Sequence, residues 1–399
     1  MDLWVKEKHC HAFSLTHTHP YPILTSGKGM WIPENKGERI KLSKSLTTKR
    51  EGIIVMIFDK LQDYGCEQIA FFQDRETGLK AIIAIHDTTL GPAWGGTRLW
   101  DYDSEQEALT DVLRLARGMT RKASISGIDV GGGKAVIMAR PEQKTEALLR
   151  AHGRCVESFK GRFMTGEDVG IGVEDVETMH TETEHVAGTK GVGDPSPFTA
   201  HGVLFGMRAC AKDVYGTNSL SDLKVAIQGL GHVGYNLARE LHKEGTQLIV
   251  TDIRQELTER VSQEFGAQVV APEEIYSVAC DIFAPCALGA TINDETIPKL
   301  TCTIVAGAAN NQLKENRHGR LLFEKAIRYA PDYVINAGGL IVIYMEKKGS
   351  SLEETMKAIE QIEDRIGEII SVSKESHKPT YEIADQLADE RVLKAKEER

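Results

Sequence analysis

Cysteine is scarce and unpaired. The seven residues of 399 stand at positions 10, 66, 155, 210, 280, 286 and 302, an odd and scattered set without a CxxC spacing. A disulfide-stapled secreted domain would show an even, regular framework, so these are expected to be reduced thiols of a cytoplasmic protein. No apolar run approaches the roughly 20 residues of a membrane helix, and the opening MDLWVKEKHC lacks the basic-then-apolar layout of a secretory signal. Positive charge is also short: 48 Lys and Arg against 58 Asp and Glu leave a net charge of −10. Broad binding to nucleic acid or to anionic membranes relies on clustered Lys and Arg, so neither partner is expected. What remains, 41% apolar and 27% charged residues, is the composition of a folded chain long enough for two or three domains.

Residues 1–55 stand apart. HCHAFSLTHTHP (9–20) gathers histidines and a cysteine, but no amphipathic period follows. Ligand types without an ordered surround do not make a metal site, so no metal is expected. The stretch reads as a disordered extension, or as residues ahead of a true start at Met56.

From Met56 the pattern is regular. QIAFFQD (68–74), KAIIAIHDT (80–88) and KAVIMA (134–139) read as strands. Ser104, with Glu107 three positions on, opens a helix; its stripe of Leu109, Val112, Leu113 and Ala116 is expected to end at Gly118. GDPSP (193–197) is a turn-rich break. Beyond it, KVAIQ, a glycine turn and a helix lead to LIVTD (248–252), then CDIFAPC (280–286) and CTIVAGAAN (302–310), which is the βαβ rhythm of a parallel sheet. A last amphipathic helix carries Leu352, Met356, Ile359, Ile362, Ile366 and Ile369 and is expected to pack back across a domain junction.

Two glycine clusters carry chemistry. Gly229, Gly231 and Gly234 form GxGxxG after a strand and at the opening of a helix, with His232 and Val233 inside the turn and Asp252 ending the next strand. That context is a dinucleotide fingerprint: a tight turn, close approach of a pyrophosphate to a helix N-terminus, and an acid for the ribose hydroxyls. An ionised Asp252 repels a 2′-phosphate, so NAD is expected over NADP, although Arg254 lies two residues on. The other cluster, GIDVGGGKAV (127–136), has Ile128 where a phosphate loop needs its first glycine and Ala135 where it needs a hydroxyl. The phosphate-cradle reading fails, and the glycines read instead as close backbone approach that makes room for a substrate. Lys134 then stands at a strand edge, with Lys122 of GMTRK upstream. Converging ammonium groups depress each other's pKa and burial depresses both, although two unrelated surface lysines would give the same spacing. Asp168 in FMTGEDVGIG is a third candidate, or simply part of a glycine turn.

Taken together, AIIAIHDTTLGPAWGGTRLW, GMTRKASISGIDVGGGKAV, TGEDVG, IQGLGHVG, IFAPCALGATIND, AGAANNQL and APDYVINAGGL resemble the amino-acid dehydrogenases related to glutamate dehydrogenase, from about Met56 to the C-terminus. The resemblance implies an α/β fold of two domains separated by a cleft: a substrate domain over residues 56–195, a Rossmann-type NAD domain over 196–345, and a helical segment over 346–399 returning toward the first. It implies reversible oxidative deamination of an L-amino acid to a 2-oxo acid and ammonium. It also implies that Lys122 binds the α-carboxylate, Lys134 is the general base and Asp168 shuttles protons. Asn310, Asn336 and Thr199 would line the nicotinamide and substrate side. Glutamate-specific members carry lysine where Trp94 stands before Gly95 and Gly96; a γ-carboxylate would be unpaired here. Leu340 and Ile343 match an apolar far wall, so branched-chain substrates are expected, leucine first, with phenylalanine and valine as alternatives. Trp94 is expected to narrow the pocket and Gly166 to enlarge it. Members are homo-oligomers, often octamers. A silent NAD-binding regulator on the same fold is the competing reading.

Overall fold

The computed structural model describes residues 57–188 and 193–399; the reading of residues 1–55 lies outside them. The chain runs α1 (Ile57–Tyr64), β1 (Gln68–Asp74), β2 (Leu79–Asp87), β3 (Ala93–Trp94), β4 (Thr97–Trp100), α2 (Glu105–Ile125), β5 (Gly131–Met138), α3 (Glu146–Glu157), β6 (Phe163–Met164) and α4 (Val173–His180). After residue 193 follow α5 (Ser196–Tyr215), β7 (Lys224–Gln228), α6 (His232–Lys243), β8 (Gln247–Thr251), α7 (Gln255–Phe265), β9 (Gln268–Val269), β10 (Ile282–Pro285), β11 (Ile304–Val305), α8 (Asn316–Glu324), β12 (Arg328–Tyr329), α9 (Asp332–Ile335), α10 (Gly338–Lys347), α11 (Leu352–Ser376) and α12 (Thr380–Glu397).

These strands make two six-stranded sheets, giving the α/β fold of two domains. The first, ordered β1-β2-β5-β3-β6 with β4 also on β5, is mixed. The second, β12-β11-β10-β7-β8-β9, is parallel throughout. Its order runs outward in both directions from the β7–β10 pair. The crevice beyond the carboxyl ends of those two strands is the switch point at which such sheets take a nucleotide.

Two elements differ from the sequence expectation. α2 does not stop at Gly118 but runs to Ile125, because a buried stripe of Thr120, Ala123, Ser124 and Ile125 continues beyond it, while a Cβ on Gly118 would meet nothing within 4 Å. MTRK therefore lies on a helix, and Lys122 in its last turn. The strand expected over 134–139 begins at Gly131, so the glycines belong to it. The helix read from Leu352 to Ile369 is α11; it packs on α5 and its Arg365 lies against Gly127, while α12 lies on α2, its Asp385 and Asp389 paired with Arg121.

The glycines of β5 are there for protein rather than for substrate. A Cβ on Gly131 would lie 2.0 Å from the Asp87 carbonyl oxygen, one on Gly132 2.1 Å from the Thr120 nitrogen, and one on Gly133 2.8 Å from the Phe163 ring. Close approach is correct, but the neighbours are β2, α2 and β6. Gly95 is as constrained, its Cβ falling 1.8 Å from the Gly133 carbonyl oxygen. Gly95→Ala is expected to destabilise the fold by at least about 1–3 kcal/mol, because the obstacle is backbone and cannot rotate away. A urea midpoint equal to that of the parent would refute this.

Candidate active site

The first sheet positions two cations and a carboxylate without reference to any ligand. Thr97 N–H donates to the Gly166 carbonyl and Leu99 N–H to the Val169 carbonyl, both at 2.9 Å, which staples the 166–169 turn along β4. Arg98 is paired with Val136 across β4 and β5. Paired residues share a sheet face, as do residues two apart, so Arg98 and Lys134 project together. Asp168 meets both: Lys134 Nζ is 2.8 Å from Asp168 Oδ2, and Arg98 Nε donates to the same oxygen at 3.0 Å. Behind Arg98, Asp111 Oδ2 accepts from Arg98 Nη1 at 3.0 Å and from the Tyr102 hydroxyl at 2.8 Å, and Arg114 donates to its Oδ1 at 2.8 Å.

Lys122 comes from the other side. Its Nζ donates to Asn336 Oδ1 at 2.6 Å, and the Asn336 amide donates to the Ala308 carbonyl at 3.1 Å and to Asn310 Oδ1 at 2.7 Å. A cavity of about 690 Å³ opens on all three charged groups. Lys122, Lys134 and Asp168 form its polar wall; Trp94, Leu340 and Ile343 form its apolar one.

Burial governs the ionisation here. It pulls the Lys122 ammonium down to about 8, and nearby Lys134 adds to the fall while Asp332 and Asp168 oppose it. Lys134 is likewise pulled below its ordinary value by burial, against the pull of Asp168. Burial pushes the Asp168 carboxyl up, but Lys134 and Arg98 outweigh it and hold the group below the usual carboxylate range. The result is a lysine that gives up its proton unusually easily beside a carboxylate that stays charged.

The remaining expected residues fall as follows. Gly96 lines the cavity, and a Cβ on it would lie 2.1 Å from the Glu167 carbonyl oxygen. Gly166 also lines it, but its missing methyl leaves space for the Ala187 carbonyl oxygen, 2.8 Å from where a Cβ would be, rather than for the cavity itself. Asn310 lines the cavity. Asn336 is buried beside it, bonded to Lys122 and to Asn310. Thr199 lies in the first turn of α5, bonded to the Pro195 carbonyl and against Gly339. Arg98, Asp111 and Asp332 were not anticipated. Asp332, half-buried, lines the cavity near Lys122 and accepts the Gln312 and Tyr333 N–H groups.

The dinucleotide turn has the geometry its glycines require. Gly229 has φ +96°, and a Cβ there would lie 2.6 Å from the Ala287 Cβ beyond β10. Gly234 would collide with the Gly229 carbonyl oxygen at 2.0 Å, so α6 and β7 pack closely. Gly231, between them, faces open space, with nothing within 4 Å of a Cβ, ahead of His232 and Val233 at the N-terminus of α6. Asp252 Oδ2 accepts the Leu230 N–H at 2.7 Å and Oδ1 the Arg254 N–H at 2.9 Å, fixing the carboxylate beside the turn. Open space over a helix N-terminus, next to a fixed acid, fits a dinucleotide pyrophosphate and ribose. Among the described residues there is no cluster of three or more His, Cys, Asp or Glu able to hold a metal ion.

Comparison with known proteins agrees with this layout. Residues 67–188 match the Glu/Leu/Phe/Val dehydrogenase dimerisation-domain profile and residues 250–399 the Glutamate/Leucine/Phenylalanine/Valine dehydrogenase profile. The chain is 54% identical to leucine dehydrogenase of Thermoactinomyces intermedius over 341 residues, covering 84% of this chain and 93% of that one. The chain belongs to the glutamate/leucine/phenylalanine/valine dehydrogenase family. Within the family it is also 53% identical to leucine dehydrogenase of Bacillus cereus, over 86% of this chain and 95% of that one. The crystal structure of L-tryptophan dehydrogenase from Nostoc punctiforme superposes with a TM-score of 0.78 at 48% identity, covering 86% of this chain and 100% of that one. Hetero-hexameric glutamate dehydrogenase from Thermus thermophilus, at 19% identity and a TM-score of 0.68, shares the fold.

Proposed function

We propose that the protein is an NAD-dependent L-amino-acid dehydrogenase that oxidatively deaminates branched-chain substrates, leucine first. The observation that carries this is the Lys134–Asp168 pair, 2.8 Å apart, in one cavity with Lys122 and an apolar wall. Relatives named leucine dehydrogenase, at 53–54% identity, support the choice of substrate.

In this reading Lys122 holds the substrate α-carboxylate, and Asn336 fixes the lysine for that task. Gly229, Gly231 and Gly234 with Asp252 hold NAD, which when bound accepts the hydride from the substrate Cα. Asp168 takes the proton released from the amino nitrogen. Lys134, unprotonated, takes a proton from the water that adds to the imine carbon, and Asp168 returns a proton as ammonia leaves. The yield is a 2-oxo acid, ammonium, NADH and one proton. Acidic substrates are disfavoured: the position that would need a cation is Trp94, and Glu167 adds a carboxylate to the cavity wall.

A homo-oligomer is proposed on the dimerisation-domain match. A cytoplasmic location is proposed on the six free cysteines of the described residues, none of whose helices is long and apolar enough to cross a membrane.

Trp94 sets the length of the pocket. Its ring is buried and packs edge-on against Tyr344, with centroids 6.0 Å apart. Trp94→Leu is expected to raise kcat/KM for leucine relative to valine by roughly 10-fold or more, since one methylene in such a pocket is worth about 1–3 kcal/mol. An unchanged ratio would place the specificity wall elsewhere. The functional reading itself is tested by NADH formation from NAD and L-leucine. NAD binding without turnover of any apolar amino acid would favour the silent regulator instead.

A further inference from the structure

Among the described residues Arg98 is the one guanidinium that touches the Lys134–Asp168 pair, and its own place is over-determined. It is half-buried on β4, between the two backbone bonds that staple the 166–169 turn. Its Nε donates to Asp168 Oδ2 and its Nη1 to Asp111 Oδ2, both at 3.0 Å, so the planar fork spans two carboxylates. Asp111, on α2, is held in turn by Tyr102 and Arg114. Lys134 and Arg98 both meet Oδ2 of Asp168, and the Val169 backbone N–H also bonds the carboxylate. Such an arrangement orients the carboxylate.

We propose that Arg98 is a positioning residue for the deamination, holding Asp168 charged and aimed while Asp111 holds Arg98. This rests on the dehydrogenase reading above. The charged and titratable groups facing Asp168 are Lys134 from β5, Arg98 from β4 and Lys122 from α2, with Asp111, Arg114 and Tyr102 behind Arg98. Removing Arg98 has a definite sign. Asp168 loses a cation that favours its carboxylate, so its pKa rises. Lys134 loses a cation that repels its ammonium, so its pKa rises too. Both groups act unprotonated, so the acidic limb of the pH profile moves to higher pH. A merely structural role for Arg98 would lower the rate and leave that limb in place.

The test is the pH profile of kcat/KM for leucine with NAD, measured on the full chain, on Arg98→Gln and on Arg98→Lys. Arg98→Gln should lower kcat about tenfold to a hundredfold, part of the ~10²–10⁴ that positioned acid–base groups contribute. It should shift the acidic limb to higher pH and leave NAD binding intact. Arg98→Lys should return that limb to its original pH while kcat stays below the parent, because one ammonium cannot span both carboxylates. Full kcat in Arg98→Gln, or a loss with an unmoved acidic limb, overturns the proposal. If Arg98→Gln fails to fold, as judged by NAD binding, Arg98→Lys decides: kcat equal to the parent overturns the bridging role, and a lowered kcat with the parental limb supports it. A parent enzyme inactive on every apolar amino acid fails the functional reading; an active parent with an unmoved acidic limb in Arg98→Gln fails only this inference.

Discussion

Lys134→Ala is expected to reduce kcat for leucine deamination by on the order of 10²–10⁴-fold while NAD binds as before, the range that a positioned acid–base group supplies. The separation of effects follows from the architecture. Lys134 sits on β5 of the first sheet, whereas Gly229, Gly231, Gly234 and Asp252 lie beyond the carboxyl ends of β7 and β8 of the second. Truncating one member of a buried ion pair ordinarily costs about 3–5 kcal/mol of stability. Here Asp168 keeps Arg98 as a partner at 3.0 Å, so the loss should be smaller and the protein should remain folded. Steady-state kinetics together with NAD titration of the variant check both halves. Retained turnover would remove Lys134 from the mechanism, and lost NAD binding would show that the change had disturbed more than the base.

Asp168→Asn should cost a comparable factor in kcat, with a different signature. Burial lowers the pKa of Lys134 and the Asp168 charge opposes that fall. With the charge gone, Lys134 titrates at still lower pH. If the unprotonated lysine is the active form for deamination, the acidic limb of kcat/KM moves to lower pH, and at neutral pH more of the base is ready. The rate nevertheless falls, because an amide cannot take the proton that leaves the substrate nitrogen. A limb shifted to higher pH would contradict the assignment of that limb to Lys134.

How much of this was readable in the chain depended on range. The GLGHVG turn was legible because strand, turn and helix are contiguous and each glycine answers to a local requirement: φ +96° at Gly229, open space at Gly231, a backbone contact at Gly234. Lys122, Lys134 and Asp168 stand in separate segments, and only the family resemblance suggested that they meet. Arg98 and Asp111 carry no local signal, since a GGTR tetrapeptide and an aspartate on a helix mean little until β4 is laid against β5 and α2 packs over them. The end of α2 was misread because Gly118 looks like a stop; tertiary burial of Ala123 and Ile125 overrides the propensity cost of one exposed glycine, about 1 kcal/mol. The glycines of β5 were read rightly as close approach and wrongly as space for a ligand, because the neighbours that fill that space, Asp87, Thr120 and Phe163, come from elsewhere in the sequence.

The central claim is that one cavity joins Lys122, Lys134 and Asp168 to an apolar side-chain pocket for amino-acid oxidation. NADH formation by the purified full chain, with NAD and a panel of L-amino acids at saturating concentration, tests it most directly. Turnover is predicted to be highest with leucine, lower with isoleucine and valine, and undetectable with glutamate. NAD binding with no turnover of any apolar amino acid, or a preference for glutamate, would contradict it.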